Sequence, residues 1–226
     1  MKPKGLWESV YYSVVTGQTL TVTTSRYRPA ERAHIDRIFG AYLRLAGMGH
    51  LHTNLTYCVH ELVANARKAN TKRVYFHERG LDIRDPEQYA QGMQGFKSDT
   101  VADIDAFLAR QKKAGLNVKI DFSLLPSGVS VMVRNNAELT EAEHARIRDK
   151  LAIAARHQCL ADAFPRSEDG LEGAGLGIVM MSFMLRNLGF GTDTFQLTSG
   201  DGETRASLTL RLPPERLAAG PQGASA

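Results

Sequence analysis

The chain has 226 residues, 43% of them hydrophobic and 23% charged, with a formal net charge of +4; that is enough apolar material for a sizeable core and too little basic excess to call for a nucleic-acid partner. Its two cysteines, Cys58 and Cys159, sit in neither a CxxC nor a metal-ligand spacing, which fits a reducing cytoplasm. The longest apolar run, residues 178–185, is interrupted by Ser182 and is far too short to span a bilayer, and Met1 to Gly5 lead into polar and aromatic residues without a signal-peptide core.

Two β-like pieces open the chain, residues 10–15 and 20–24, rich in Val, Thr and Tyr, with Gly17-Gln18 to turn between them. Pro29 suits the first turn of a helix over roughly 30–46, and Gly47-Met48-Gly49 ends it. A second helix is expected over about 51–70. Leu55, Val59, Leu62, Ala66 and Ala69 form its apolar stripe, and Asn54, Glu61, Asn65 and Lys68 form a polar stripe beside it. Glu61, Asn65 and Lys68 are spaced i, i+4, i+7 and so point the same way. Asn is a mediocre helix former. A carboxylate, an amide and an amine lined up at the edge of a core therefore read as a site.

Residues 72–77 read as a strand with Val74 and Phe76 on one face, residues 80–100 as polar and irregular, and residues 101–113 as a helix capped by Gly115. Val118, Ile120, Phe122 and Leu124 alternate with polar residues, Pro126-Ser127-Gly128 turns, and Val129, Val131 and Val133 alternate in the return strand. Asn135-Asn136 stops it. A helix over about 140–163 follows, with Thr140 and Glu143 placed as a capping box. After an acidic loop, Gly173-Ala174-Gly175-Leu176-Gly177 leads into a helix to about residue 188, and a last hairpin turns at Gly200-Asp201-Gly202. Residues 1–212 are expected to form a single domain, and the Ala, Gly, Pro and Ser tail at 213–226 to be disordered. Helices and hairpins fall in blocks, which favours an α+β fold: a two-layer sandwich whose mixed, mostly antiparallel sheet carries helices on one face.

The glycine run is the second chemical signal. Glycines let backbone N–H groups approach phosphate oxygens, and a following helix adds a favourable dipole. No GxxxxGK[ST] is present, so this is not an ordinary P-loop, and the run does not follow a strand as a dinucleotide fingerprint must.

Three segments in order resemble the motifs of the ATP-binding fold shared by gyrases, sensor histidine kinases and mismatch-repair ATPases (the GHKL superfamily, or Bergerat fold). Glu61-Leu62-Val63-Ala64-Asn65-Ala66-Arg67-Lys68-Ala69 resembles the N box, Val133-Arg134-Asn135-Asn136-Ala137 the first glycine box (V-x-D-N-G), and Gly173 to Val179 the second (GxGLGL). The resemblance covers about residues 20–212. It implies ATP and Mg²⁺ as cofactors: Glu61 and Asn65 on the metal and phosphates, Lys68 neutralising phosphate charge, Asn135 with Asn136 at the adenine end, and Gly173, Gly175, Leu176 and Gly177 cradling phosphates. Glu61 would be the general base in any hydrolysis. The segment between the glycine boxes would be the ATP lid, here a long charged helix with Glu168, Asp169 and Glu172 behind it.

Two departures are visible. Asn135 stands where the family has Asp; its carbonyl can accept a hydrogen bond from an adenine amino group, but its own amide must then point elsewhere. Ala137 replaces the box glycine. A phosphoacceptor histidine is not evident: His34-Ile35-Asp36 resembles an H box only faintly, and His60 lies about 100° from the polar stripe. The expected function is a stand-alone, histidine-kinase-like ATP-binding protein in signal transduction. It would transfer phosphate to, or regulate, a protein partner such as a response regulator, a receiver or a sigma-type regulator. The alternative is a non-catalytic nucleotide-sensing or partner-switching module of the anti-sigma kind.

Overall fold

The computed structural model describes residues 5–24, 26–159, 162 and 176–211. Helix α1 (Leu6–Thr16) leads to strand β1 (Leu20–Thr24) and helix α2 (Pro29–Leu45), and a single 3₁₀ turn precedes helix α3 (His52–Glu78). Helices α4 (Pro86–Ala102) and α5 (Ile104–Lys113) come next, then strands β2 (Val118–Leu125) and β3 (Gly128–Asn135), helices α6 (Glu141–Arg156) and α7 (Leu176–Asn187), and strands β4 (Phe195–Gly200) and β5 (Glu203–Arg211). The fold is α+β.

The five strands form one sheet in the order β1-β2-β3-β5-β4, and every pairing is antiparallel, so the parallel component expected of a mixed sheet is not found among the described residues. The register sets Ile120 beside Val133 and Val131 beside Leu208. Alternation therefore sends Ile120, Phe122, Val129, Val131, Val133, Leu208 and Leu210 to one buried face. Against that face pack Ile35, Ile38, Phe39 and Tyr42 of α2, Leu55, Val59, Leu62 and Val63 of α3, and Met181 and Leu185 of α7. Tyr42 stacks on Phe122 at 5.9 Å between ring centroids. Asp121 and Arg134 belong to the opposite face, where they form an ion pair at 2.6 Å.

Five expectations at the level of elements are corrected. Residues 10–15 are helical, not a strand. Their Val and Tyr content suits β structure, but Leu6, Val10, Ser13 and Val14 recur at helical spacing on the face that meets the core, and Ser13 Oγ and Tyr42 Oη share a 2.5 Å hydrogen bond there. Residues 72–77 continue α3, whose 27 residues span roughly 40 Å. The apolar spacing of Val74 and Phe76 is strand-like because this end of the helix is covered on more than one side, where Val74, Tyr75 and Phe76 join Tyr89, Phe96 and Phe107 in a second apolar cluster.

The span read as irregular is α4, announced by Asp85-Pro86: the Asp85 carboxylate accepts from Gln88 N at 2.8 Å and proline takes the first helical position. Gly92 within it lies flat on Phe76, where a Cβ would come within 2.5 Å of the ring. Finally, the helix expected over 101–113 starts only at Ile104, after a break at Asp103, and α6 ends at Arg156 rather than near 163. The Thr140–Glu143 capping box forms as expected, with both reciprocal bonds made.

Candidate functional site

A cavity of about 480 Å³ opens between the sheet and the helices, a volume within the range of small-molecule sites. Its floor is apolar, from Val133, Ala206, Phe195 and Leu197 of three strands. One wall is α3, contributing Leu62, Asn65, Ala66, Lys68, Ala69 and Lys72; the other is α6, contributing Glu143, Arg146, Ile147 and Lys150, and Ile178 of α7 completes it. The helical period that puts Asn65 and Lys68 on one side of α3 thus aims them into a space closed by a segment almost eighty residues downstream.

The electrostatics of this space are one-sided. Among the described residues four cationic side chains line it, and Glu143 is the one acidic residue in that lining. Glu143 is already committed: it accepts from Lys72 Nζ at 3.0 Å, from Arg73 Nη2 at 2.7 Å and from Thr140 N at 3.1 Å. Burial would raise its carboxyl, but the Arg73 hydrogen bond and the Lys72 and Arg73 charges outweigh that and hold it at about 2. The remaining cations crowd one another. The Lys68 amine is lowered by desolvation, then by Lys72, with Arg146 and Lys97 adding to the effect. Lys150 is lowered by desolvation, then by Lys68 and Arg146. Such a set is relieved by an anion.

Glu61 and Asn65 meet as the i, i+4 spacing requires: Asn65 Nδ2 donates to Glu61 Oε1 at 2.9 Å. Gly177, in the first turn of α7, lies directly against this carboxylate, and a Cβ there would fall 1.7 Å from Oε1. Two segments 116 positions apart are thereby joined beside the cavity through a contact only glycine permits without moving Glu61. Gly177→Ala is expected to swing the carboxylate off Asn65. Because Glu61 is half-buried and flexible, the stability change stays within about 1 kcal/mol, while the Asn65 side-chain NH₂ resonances shift in a ¹⁵N spectrum. Unmoved resonances would refute the contact.

Asn135 is 3% exposed at the end of β3 and lines the cavity. Its orientation is fixed by a chain of donors. Asn70 Nδ2 donates to the Asn117 carbonyl at 3.1 Å, so Asn70 presents Oδ1; Asn135 Nδ2 donates to that oxygen at 3.1 Å and to the Ala137 carbonyl at 3.3 Å. Both amide protons are spoken for, and the acceptor oxygen is what Asn135 has left for a ligand. Thr204, also in the lining, donates to the Ala137 carbonyl at 2.6 Å.

Other expected residues lie elsewhere. Asn136 is exposed and outside the lining; it donates to the Gly115 carbonyl and accepts from Asn117 N, tying β3 to the turn before β2. Leu176 opens α7, one position before the glycine that meets Glu61. Gly173 and Gly175, like the acidic positions 168, 169 and 172 and the 213–226 tail, lie outside the described residues. His60 faces away from Glu61, bonded through Nδ1 to Tyr27 Oη, with Nε2 2.7 Å from Asp36 Oδ1. Sequence reasoning read α6 as a charged helix over the site without choosing among its charges: Arg146 and Lys150 are four apart on one helical face with Glu143 and Ile147, a stripe that the 3.6-residue period could have exposed. It also missed Tyr89, whose hydroxyl accepts from Lys72 at 3.0 Å and Arg146 at 2.9 Å.

Among the described residues, no helix is long and apolar enough to cross a membrane and no group of three or more His, Cys, Asp and Glu could hold a metal ion. No family model and no solved structure matches the chain. It is 40% identical over 177 residues to an uncharacterized protein of Treponema pallidum (strain Nichols); the match covers 78% of this chain and 34% of that protein, so the chain spans about a third of its relative's length.

Proposed function

We propose that the cavity between α3, α6 and the sheet binds Mg-ATP and that the chain is a histidine-kinase-like nucleotide-binding module. The observation that carries this reading is the meeting, around one space, of the cation-rich α3 and α6 faces with an apolar floor that ends in the acceptor of Asn135. A nucleotide has those two ends: a polyanion and a flat base with an exocyclic amine. Lys68, Lys150 and Arg146 suit the phosphates, and Asn135 Oδ1 suits the amine. Glu61 and Asn65 supply oxygen donors side by side, and two protein oxygens with phosphate and water oxygens make a Mg²⁺ environment. These residues fit the ion. Mg²⁺ would supply charge neutralisation of the phosphates, while Glu61 and Asn65 orient it and Lys68 holds the chain of charges in place.

Whether turnover follows binding rests on Glu61, which among the described residues is the carboxylate beside Asn65 at the edge of the cavity and would act as a base toward water. One observation favours sensing over turnover. Glu61 Oε1 is engaged by Asn65, and α6 is fastened to α3 by the buried Glu143 cluster. A non-catalytic module that reports nucleotide to a protein partner fits that geometry, and a match that covers only 34% of its relative fits a module that works within a larger assembly.

Calorimetric titration separates these readings. Mg-ATP is expected to bind with a dissociation constant that Arg146→Ala and Lys150→Ala each raise about tenfold, a loss of roughly 1.4 kcal/mol. Absence of heat from both Mg-ATP and Mg-ADP removes the nucleotide. If ATP binds, release of γ-labelled phosphate by wild type and not by Glu61→Ala establishes an ATPase; equal background release in both establishes the sensor.

A further inference from the structure

We propose that α1 is a self-association surface and that two copies of this chain pair through it. A surface helix ordinarily shows one apolar stripe, whereas α1, Leu6-Trp7-Glu8-Ser9-Val10-Tyr11-Tyr12-Ser13-Val14-Val15-Thr16, carries apolar side chains on two sides. Only one of its sides is accounted for. Val10 and Ser13 are buried on α2 and the sheet edge, with Leu6 and Val14 packed beside them. The other side carries Trp7, Tyr11 and Val15 at i, i+4, i+8, exposed to 61%, 71% and 64%. Tyr12, at 47%, flanks the stripe, and Leu45 at the end of α2 adds another exposed apolar side chain at 56%.

These residues include four of the eight large hydrophobics exposed among the described residues, gathered on one helix of eleven residues. A wholly exposed aromatic side chain offers about 150–250 Å², so the three rings alone present roughly 350 Å². That already reaches the size at which an exposed apolar patch marks an interaction site.

The occupant follows from charge and area. The stripe of Trp7, Tyr11 and Val15 bears no ionised group, so an identical stripe meets it without repulsion. That is the self-complementarity a two-fold interface needs. Arg44 lies with its guanidinium 6.0 Å from the Trp7 ring centroid, a cation over the ring at one end of the stripe. With Val15, Tyr12 and Leu45 included, two copies would together bury on the order of 1,000 Å², where specific interfaces begin. The contact is therefore modest, of micromolar rather than nanomolar strength.

Trp7 is the chain's single tryptophan, so its emission reports this face and no other. Sedimentation velocity on the full chain is expected to show a monomer–dimer equilibrium, with Trp7 emission moving to shorter wavelength over the concentrations at which mass doubles. Tyr11→Lys and Val15→Lys, at exposed positions, place like charges across the two-fold contact. Each is expected to weaken the dimer at least tenfold with the circular-dichroism spectrum and the melting midpoint unchanged. A wild-type monomer at all concentrations overturns the proposal, as does a dimer that both lysine variants leave intact. A monomer whose Trp7 emission shifts only on adding neutral phosphatidylcholine vesicles overturns it in favour of a membrane surface.

Discussion

Glu143→Ala is expected to lower the stability of this protein by about 3–5 kcal/mol, the range found when one partner of a buried ion pair is removed. The side chain is 6% exposed and accepts four hydrogen bonds that hold α3 to α6: one from Lys72 and two from Arg73 of α3, and one from the backbone of its own Thr140 cap. Removal leaves Lys72 buried with Tyr89 as its remaining acceptor and frees Arg73 to the Glu138 carbonyl alone. The pH dependence has a definite sign. The unfolded carboxyl titrates near its ordinary value of 4.5 and the folded one at about 2. The unfolded chain therefore takes up the proton first, so the contribution is complete above about pH 4.5 and is lost as pH falls toward 2. The separation of the two values corresponds to roughly 3 kcal/mol. Urea unfolding of wild type and Glu143→Gln between pH 6 and 2 checks this, since glutamine keeps the shape but does not titrate. The stability gap should narrow steadily below pH 4.5; a gap independent of pH would show that the charge contributes nothing.

Asn135→Asp, which restores the residue usual in the resembling family, is expected to destabilise rather than improve this chain. The amide nitrogen donates to Asn70 Oδ1 and the Ala137 carbonyl, and a carboxylate has no proton for either. Asn70 cannot turn to help, because its own nitrogen serves the Asn117 carbonyl. Asp would thus set a buried charge against two acceptors. We expect a loss of at least about 3 kcal/mol at pH 7, from the unsatisfied groups together with desolvation of the charge. The loss should shrink as acid protonates the new carboxyl and supplies a donor. Asn135→Ala loses only the hydrogen bonds, about 1–3 kcal/mol, so the order of stability should be wild type, Ala, Asp. If Asp proves as stable as wild type, or tightens Mg-ATP binding in calorimetry, the donor chain is not what fixes position 135.

Much of the site was legible in residue spacing, and the reasons are local. Glu61, Asn65 and Lys68 share a helix face because 3.6 residues make a turn, whatever the rest of the chain does. The hairpin of β2 and β3 was legible for a similar reason: strict alternation on both sides of Pro126-Ser127-Gly128 leaves one register that buries every Val. The capping box at Thr140 and Glu143 is a four-residue device and formed as read. Where local signals conflicted, the reading failed. Residues 10–15 have strand-like composition at helical spacing, and the spacing won because Ser13 and Val10 meet Tyr42 and the core only from a helix. Residues 72–77 lost their helical periodicity because a second cluster, built from α4 and α5, covers that end of α3.

By itself, then, the sequence determined the α+β class, the β2–β3 and β4–β5 hairpins and the polar stripe of α3, since each depends on periods of two or 3.6 residues or on a single turn. Only the tertiary structure decided that Glu143, read as a helix cap, is also the bolt between α3 and α6; that Arg146 and Lys150 face Lys68 across a cavity; that Asn135 turns its nitrogen inward; and that Gly177 rests on Glu61. Each of these pairs residues between 65 and 116 positions apart or closes a space that no single element contains. Contacts of that kind arise only when the sheet and its helices pack together, and no local period records them.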